Sequence, residues 1–148
     1  MPRSLPKHAR HVAQSRLHKR TLLPLSTKAV DAMALKYHTA LAALKVGRGT
    51  ERCVELLLQL ATIARFIGEE STVRLDPVLL EELANVLRAA IERGHATGQW
   101  FVDAVHQDLC AALVIEHERQ LRVTPIGTLE RALDRARHFV SAHRPAAL

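Results

Sequence analysis

The amino-acid sequence predicts an all-α protein: a compact four- to five-helix bundle with a basic, partly disordered N-terminal arm. Three observations carry that expectation. Apolar residues recur at three- and four-residue steps in five successive segments. Those segments are bounded by helix signals, with Ser26, Thr50 and Asp76-Pro77 at starts and Gly47, Gly68 and Gly94 at ends. No alternating strand pattern of any length is present, and an α/β fold would need several. The chain has 148 residues, 48% of them hydrophobic, which suffices for one domain with a sizeable core. One Trp, one Tyr and three Phe cannot fill that core, so Leu, Ala, Val and Ile must.

Residues 1–25 form the arm. From Lys7 to Arg20 the spacing of Ala9, Val12, Ala13 and Leu17 is helical, but so thin a stripe cannot hold a short helix together in water. Leu22-Leu23-Pro24-Leu25 follows as an extended strap, because Pro24 drives Leu23 out of helical geometry. The bundle spans residues 26–142. Its first helix, from Thr27 to Lys45, has Val30, Met33, Tyr37, Leu41 and Leu44 on one face. The second, from Thr50 to Gly68, confines its polar residues to one narrow stripe and is buried on a wide face. The third starts at Asp76-Pro77, faces inward with Leu80, Leu83, Leu87 and Ile91, and stops at Gly94. The fourth follows Thr97-Gly98 and is apolar from Leu109 to Ile115, which marks it as the central helix. The fifth opens at Thr124-Pro125 and lines its core side with Ile126, Leu129, Leu133, Ala136 and Val140. Residues 143–148 are a frayed tail.

Charge is the functional signal. The net charge is +6, and it is segregated. Arg3, Lys7, Arg10, Arg16, Lys19, Arg20 and Lys28 all precede the first acid, Asp31. The rest of the chain holds the other 14 of the 21 Lys and Arg residues and all 15 acids, so the body is nearly neutral. Such an arm is suited to a nucleic-acid backbone, where Lys and Arg neutralise phosphates without reading sequence. It has no aromatic residue on which a base could stack. The expected function is therefore non-catalytic association with nucleic acid, as a small regulator or accessory subunit. The alternative is a protein–protein adaptor or inhibitor that binds through a bundle face, with a protein partner or a second copy of the chain.

Arg131 and Arg135, on the outer face of the last helix, extend the candidate interface. There Gly127-Thr128-Leu129-Glu130-Arg131-Ala132-Leu133 resembles the start of the recognition helix in the Fis family of bacterial DNA-binding proteins. That resemblance implies that Thr128, Arg131 and Arg135 face DNA. It covers fewer than ten residues, and Glu130 and Asp134 interrupt its basic pattern.

Other chemistries are poorly served. His106, Cys110 and His117 stand at i, i+4 and i+11 with Asp103 one turn earlier, but paired CxxC or HxxxH spacing is absent and no metal is expected. Glu92 and His95 have the spacing of a di-iron motif only once, across Gly94. No glycine-rich phosphate loop and no nucleophile elbow is present, so neither cofactor nor enzyme activity is expected. Two cysteines are not a disulfide framework, and no apolar run reaches the ~18 residues of a membrane span, so the expected location is the cytoplasm and no membrane partner is expected.

Overall fold

A computed structural model describes residues 7–142, and within them the protein is all-α. Six helices follow one another: α1 Lys7–Thr21, α2 Thr27–Lys45, α3 Glu51–Glu70, α4 Pro77–Thr97, α5 Ala104–Val123 and α6 Ile126–Ala142. The count exceeds the expected four to five because the arm itself is helical from Lys7 onward. Among the described residues there is no strand, only an isolated antiparallel bridge between Pro24 and Pro125.

Local chemistry sets the helix ends. Ser26 Oγ accepts the Ala29 N–H at 3.2 Å, Asp76 Oδ1 the Val78 N–H at 2.9 Å, and Asp103 Oδ1 the His106 N–H at 3.1 Å. Asp103 thus starts α5 six residues later than Thr97-Gly98 suggests. Gly98, with φ of 73°, closes α4 in the left-handed region that glycine tolerates best.

The central helix is α3, not α5. Ten of its residues are buried, from Val54 to Gly68, and it packs against α2, α4, α5 and α6. Helix α5 buries six and packs against α2, α3 and α4. Within its apolar run Leu113 and Val114 are buried, Leu109 is half-buried, and Ala112 and Ile115 are exposed. Val140 also faces solvent, because α6 turns Phe139 toward Phe66 instead.

Two apolar clusters fill the interior. The larger joins α2, α3, α4 and α5 around Leu44, Leu57, Leu83, Leu87 and Leu113. The smaller seats α6 through Leu129, Ala132 and Ala136 against Val30, Ile63, Phe66 and Ile67. The strap from Leu22 to Leu25 ties the arm to this end: Leu25 packs on the smaller cluster, and the Ile126 N–H donates to the Leu23 carbonyl at 2.9 Å.

Gly94 does not terminate α4. It lies buried three residues before the last helical residue, and the Trp100 ring occupies the space where a Cβ would sit. Trp100 folds back over α4 from the α4–α5 connection, with its ring edge-on to His95 at 5.3 Å. In a solvated helix Gly→Ala adds about 1 kcal/mol of stability. Here Gly94→Ala should lower the melting temperature measured by circular dichroism, because Trp100 must be displaced. A higher melting temperature would show that Trp100 does not sit on Gly94.

Candidate nucleic-acid interface

Helix α1 carries five of the candidate cations, Lys7, Arg10, Arg16, Lys19 and Arg20, and no acid. None of its residues is buried. Arg16, Lys19 and Arg20 stand at i, i+3 and i+4, so they cluster on one side of the last turns. His18, Lys19 and Arg20 also oppose the negative end of the helix dipole, which favours the helical state. His8, His11 and His18 share another side at three- and seven-residue steps. Lys28 is exposed in the first turn of α2. Arg3 lies outside the described residues.

Among the described residues, no carboxylate pairs with Lys7, Arg10, Arg16, Lys19, Arg20 or Lys28, a state that Lys36, Lys45, Arg48, Arg74, Arg88 and Arg93 of the body share. Arg52, Arg65, Arg119, Arg122 and Arg137 each face a carboxylate. Arg131 and Arg135 belong with these paired residues. Arg131 Nε lies 2.9 Å from Glu70 Oε2, and its Nη2 donates to Thr128 Oγ1 at 3.2 Å. Arg135 Nη2 lies 2.5 Å from Glu69 Oε2, and its guanidinium stacks 4.5 Å from the Phe66 ring centroid. The expected outward face of α6 is thus bound to the end of α3. Of the residues the Fis-like step would turn to DNA, Arg131 and Arg135 each face a glutamate of α3 and Thr128 accepts from Arg131, but the two arginine side chains stay 62% and 45% exposed. Sequence spacing could not reveal this, because Glu69 and Glu70 are some 60 positions away.

The titratable cluster of α5 divides into three separate environments. His106 Nδ1 lies 2.6 Å from Asp103 Oδ2, and its Nε2 lies 3.8 Å from Glu82. The hydrogen bond to His106 holds the Asp103 carboxyl below the usual carboxylate range. Cys110 is buried, and desolvation, with the Asp103 charge second, pushes its thiol up to about 11. A thiol so placed is a poor nucleophile. Cys53 is half-buried, with Sγ 3.4 Å from Thr50 Oγ1. Among the described residues no three His, Cys, Asp or Glu side chains converge as a metal site. His95 Nε2 lies 2.5 Å from Glu51 Oε1 and so joins α4 to α3 rather than to Glu92. One shallow groove crosses α3 between α4 and α6, lined by Ala61, Thr62, Leu80 and Ala84, with Arg65 facing Glu81 at 3.8 Å.

His117 is enclosed by α2, α3 and α5. Its exposure is 1%, its ring meets Tyr37 edge-on at 5.8 Å, and its Nδ1 lies 3.0 Å from Gln120 Oε1. Gln120 Nε2 donates to the Ala64 and Val73 carbonyls at 3.2 and 3.1 Å. With the amide nitrogen so used, Gln120 Oε1 must accept, which puts the neutral-ring proton of His117 on Nδ1. Nε2 is left without a partner. Sequence pattern did not single out this network; the adjacency of two polar residues to an apolar run was its only trace.

Comparison with known proteins finds no matching family, no similar curated protein and no similar solved structure.

Burial lowers the His117 imidazole from its ordinary value of 6.5 to about 4, against a smaller opposing effect of the Gln120 hydrogen bond. The unfolded chain therefore takes up a proton at this position that the folded chain refuses. Stability from this source is complete above pH 6.5 and is lost as pH falls toward 4, by on the order of 3 kcal/mol. Urea unfolding of the wild type and of His117→Leu should show a shallower fall for the variant across that window. Parallel profiles would place the acid sensitivity elsewhere.

Proposed function

We propose that the protein is a non-catalytic nucleic-acid-associated protein, a small regulator or accessory subunit that grips phosphates with α1. The observation that carries this reading is the state of α1: a helix with five cations, no acid, no buried side chain and no internal ion pair. A solvated fifteen-residue helix is marginal on its own. Phosphates laid along it would offset the mutual repulsion of its cations and add charge-assisted hydrogen bonds.

The helix changes the reach of the interface. At ~1.5 Å per residue, α1 is ~22 Å long when helical, less than half the reach of the same residues as an extended strand. A rod of that length fits along a duplex groove over part of one turn. Lys28 stands beyond the strap, in the first turn of α2, and adds a sixth contact close to the bundle. Arg131 and Arg135 each already face an exposed carboxylate, which makes them weaker contacts than the unpartnered cations of α1. The proposed contacts are to backbone, so discrimination between sequences is weak.

Replacing Arg10, Arg16, Lys19 and Arg20 by Ala should weaken binding to duplex DNA or RNA. It should also flatten the log–log salt dependence, by ~0.9 per lost contact on DNA. Melting of the bundle should be unchanged, since these side chains bury nothing. Fluorescence anisotropy across a salt series measures both quantities. Binding that resists salt, or that survives the four substitutions, would instead favour an adaptor acting through an apolar face of the bundle.

A further inference from the structure

We propose that the outer face of α5 and α2 is a two-fold interface with a second copy of this chain. This inference is independent of the role assigned to α1.

The surface is built from two rows of exposed residues turned away from α3. On α5 the row is Val105, Asp108, Ala112, Ile115 and Arg119, at steps of three, four, three and four. On α2 and its C-cap it is Leu35, Thr39, Ala42 and Val46, at steps of four, three and four. Each has the spacing of a helix–helix seam. Val105, Ile115, Leu35 and Val46 are 69%, 47%, 65% and 70% exposed, so each row carries two large apolar side chains into solvent. Ion pairs between Arg122 and Asp31 at 2.8 Å and between Glu118 and His38 at 3.6 Å hold α2 and α5 as antiparallel neighbours. The two rows therefore run side by side.

The α5 row says what covers it. Its residues are arranged symmetrically about the point between Leu113 and Val114: Ala112 mirrors Ile115, and Asp108 mirrors Arg119. Laid antiparallel on its own copy, α5 brings the small Ala112 against the large Ile115 of the second copy. It also brings Asp108 against the oppositely charged Arg119. Two-fold symmetry makes each contact twice, as an isologous interface requires. Asp108 has no ion-pair partner within the described chain. Arg119 pairs only with Glu116, one turn away on the exposed face, at 2.8 Å. Such an exposed pair contributes little and does not fix the guanidinium.

One helix row is narrow for a stable dimer, which needs roughly 800 Å² from each partner. The symmetry axis supplies the remainder. It runs across the helices, so the operation that lays α5 on its copy also lays α2 on the α2 of the copy. The face is then two helices wide on each side. Ala42 and Ala112, both small, let the backbones approach.

Sedimentation equilibrium of the full chain from ~1 to ~100 µM tests the proposal, a range that captures dissociation constants of ordinary homodimers. The wild type should be a dimer. Asp108→Arg and Arg119→Asp should each raise the dissociation constant on the order of tenfold or more, by setting like charges together. The double variant, D108R with R119D, should restore it. Mixing the two single variants should give a heterodimer, since every charged contact is then again a pair of opposite signs. Ile115→Glu should leave a folded monomer with unchanged circular dichroism. A wild type that stays monomeric throughout overturns the proposal and leaves the face to a protein of another sequence. A dimer indifferent to these substitutions overturns it as well.

Discussion

Enclosing α3 is the constraint from which the rest of the structure follows. From Leu56 to Gly68 this helix has apolar residues on nearly every side, interrupted only by Gln59, Thr62 and Arg65. A helix of that kind is stable in water only if others surround it, and four do. Their positions decide where charge can go. Glu69 and Glu70 end α3 at the negative pole of its own dipole, an unfavourable place for acids. Arg131 and Arg135 of α6 come to them, so the same contacts that seat α6 relieve that repulsion. Two cations that look unpartnered along the sequence thereby gain intramolecular partners while remaining exposed.

The polar interior follows from the same enclosure. Gln120 and His117 are carried inward because α5 must lie against both α3 and α2. A buried amide costs several kcal/mol unless its hydrogen-bonding groups are met. Gln120 meets its needs by joining α3, the α3–α4 connection and His117. His117 is then held as the neutral ring down to about pH 4, since protonation puts a charged donor where no acceptor waits. The network fixes the register of α5 on α3 more narrowly than Leu and Ala alone could, because aliphatic contacts have little directionality.

The helices were legible because their signals are local. Ser26 and Lys45 bound α2 as the sequence implies, and Asp76-Pro77 opens α4. The apolar spacing of Val30, Tyr37, Leu41 and Leu44 marks residues that are buried. Local pattern fails where long-range packing overrides it. Gly94 looks like a stop, and only the arrival of Trp100 explains why a glycine stays inside the helix. The run from Leu109 to Ile115 promised a central helix, yet composition cannot say which of two apolar helices the others will enclose. Segregation of charge into the arm was plain in sequence. That Arg131 and Arg135 would be paired was not, because ion pairs across the fold leave no periodic trace.

The arm and the open face lie on different parts of the scaffold, and this shapes what each can contribute. Helix α1 leans on the start of α6, where Thr21 approaches Gly127, while the seam belongs to α2 and α5. Neither requires the other to form. On the two proposals together, dimerisation would present two basic helices, related by the axis that pairs the α5 helices. Binding of the second helix then becomes intramolecular, and its gain depends on whether one nucleic acid can reach both. A short rod close to the bundle makes that a demanding geometric condition, whereas a flexible extended arm would have satisfied it at many separations. On the proposed reading, the helical state of residues 7–21 matters beyond charge: it would give a diffuse attraction for phosphate a defined reach and direction.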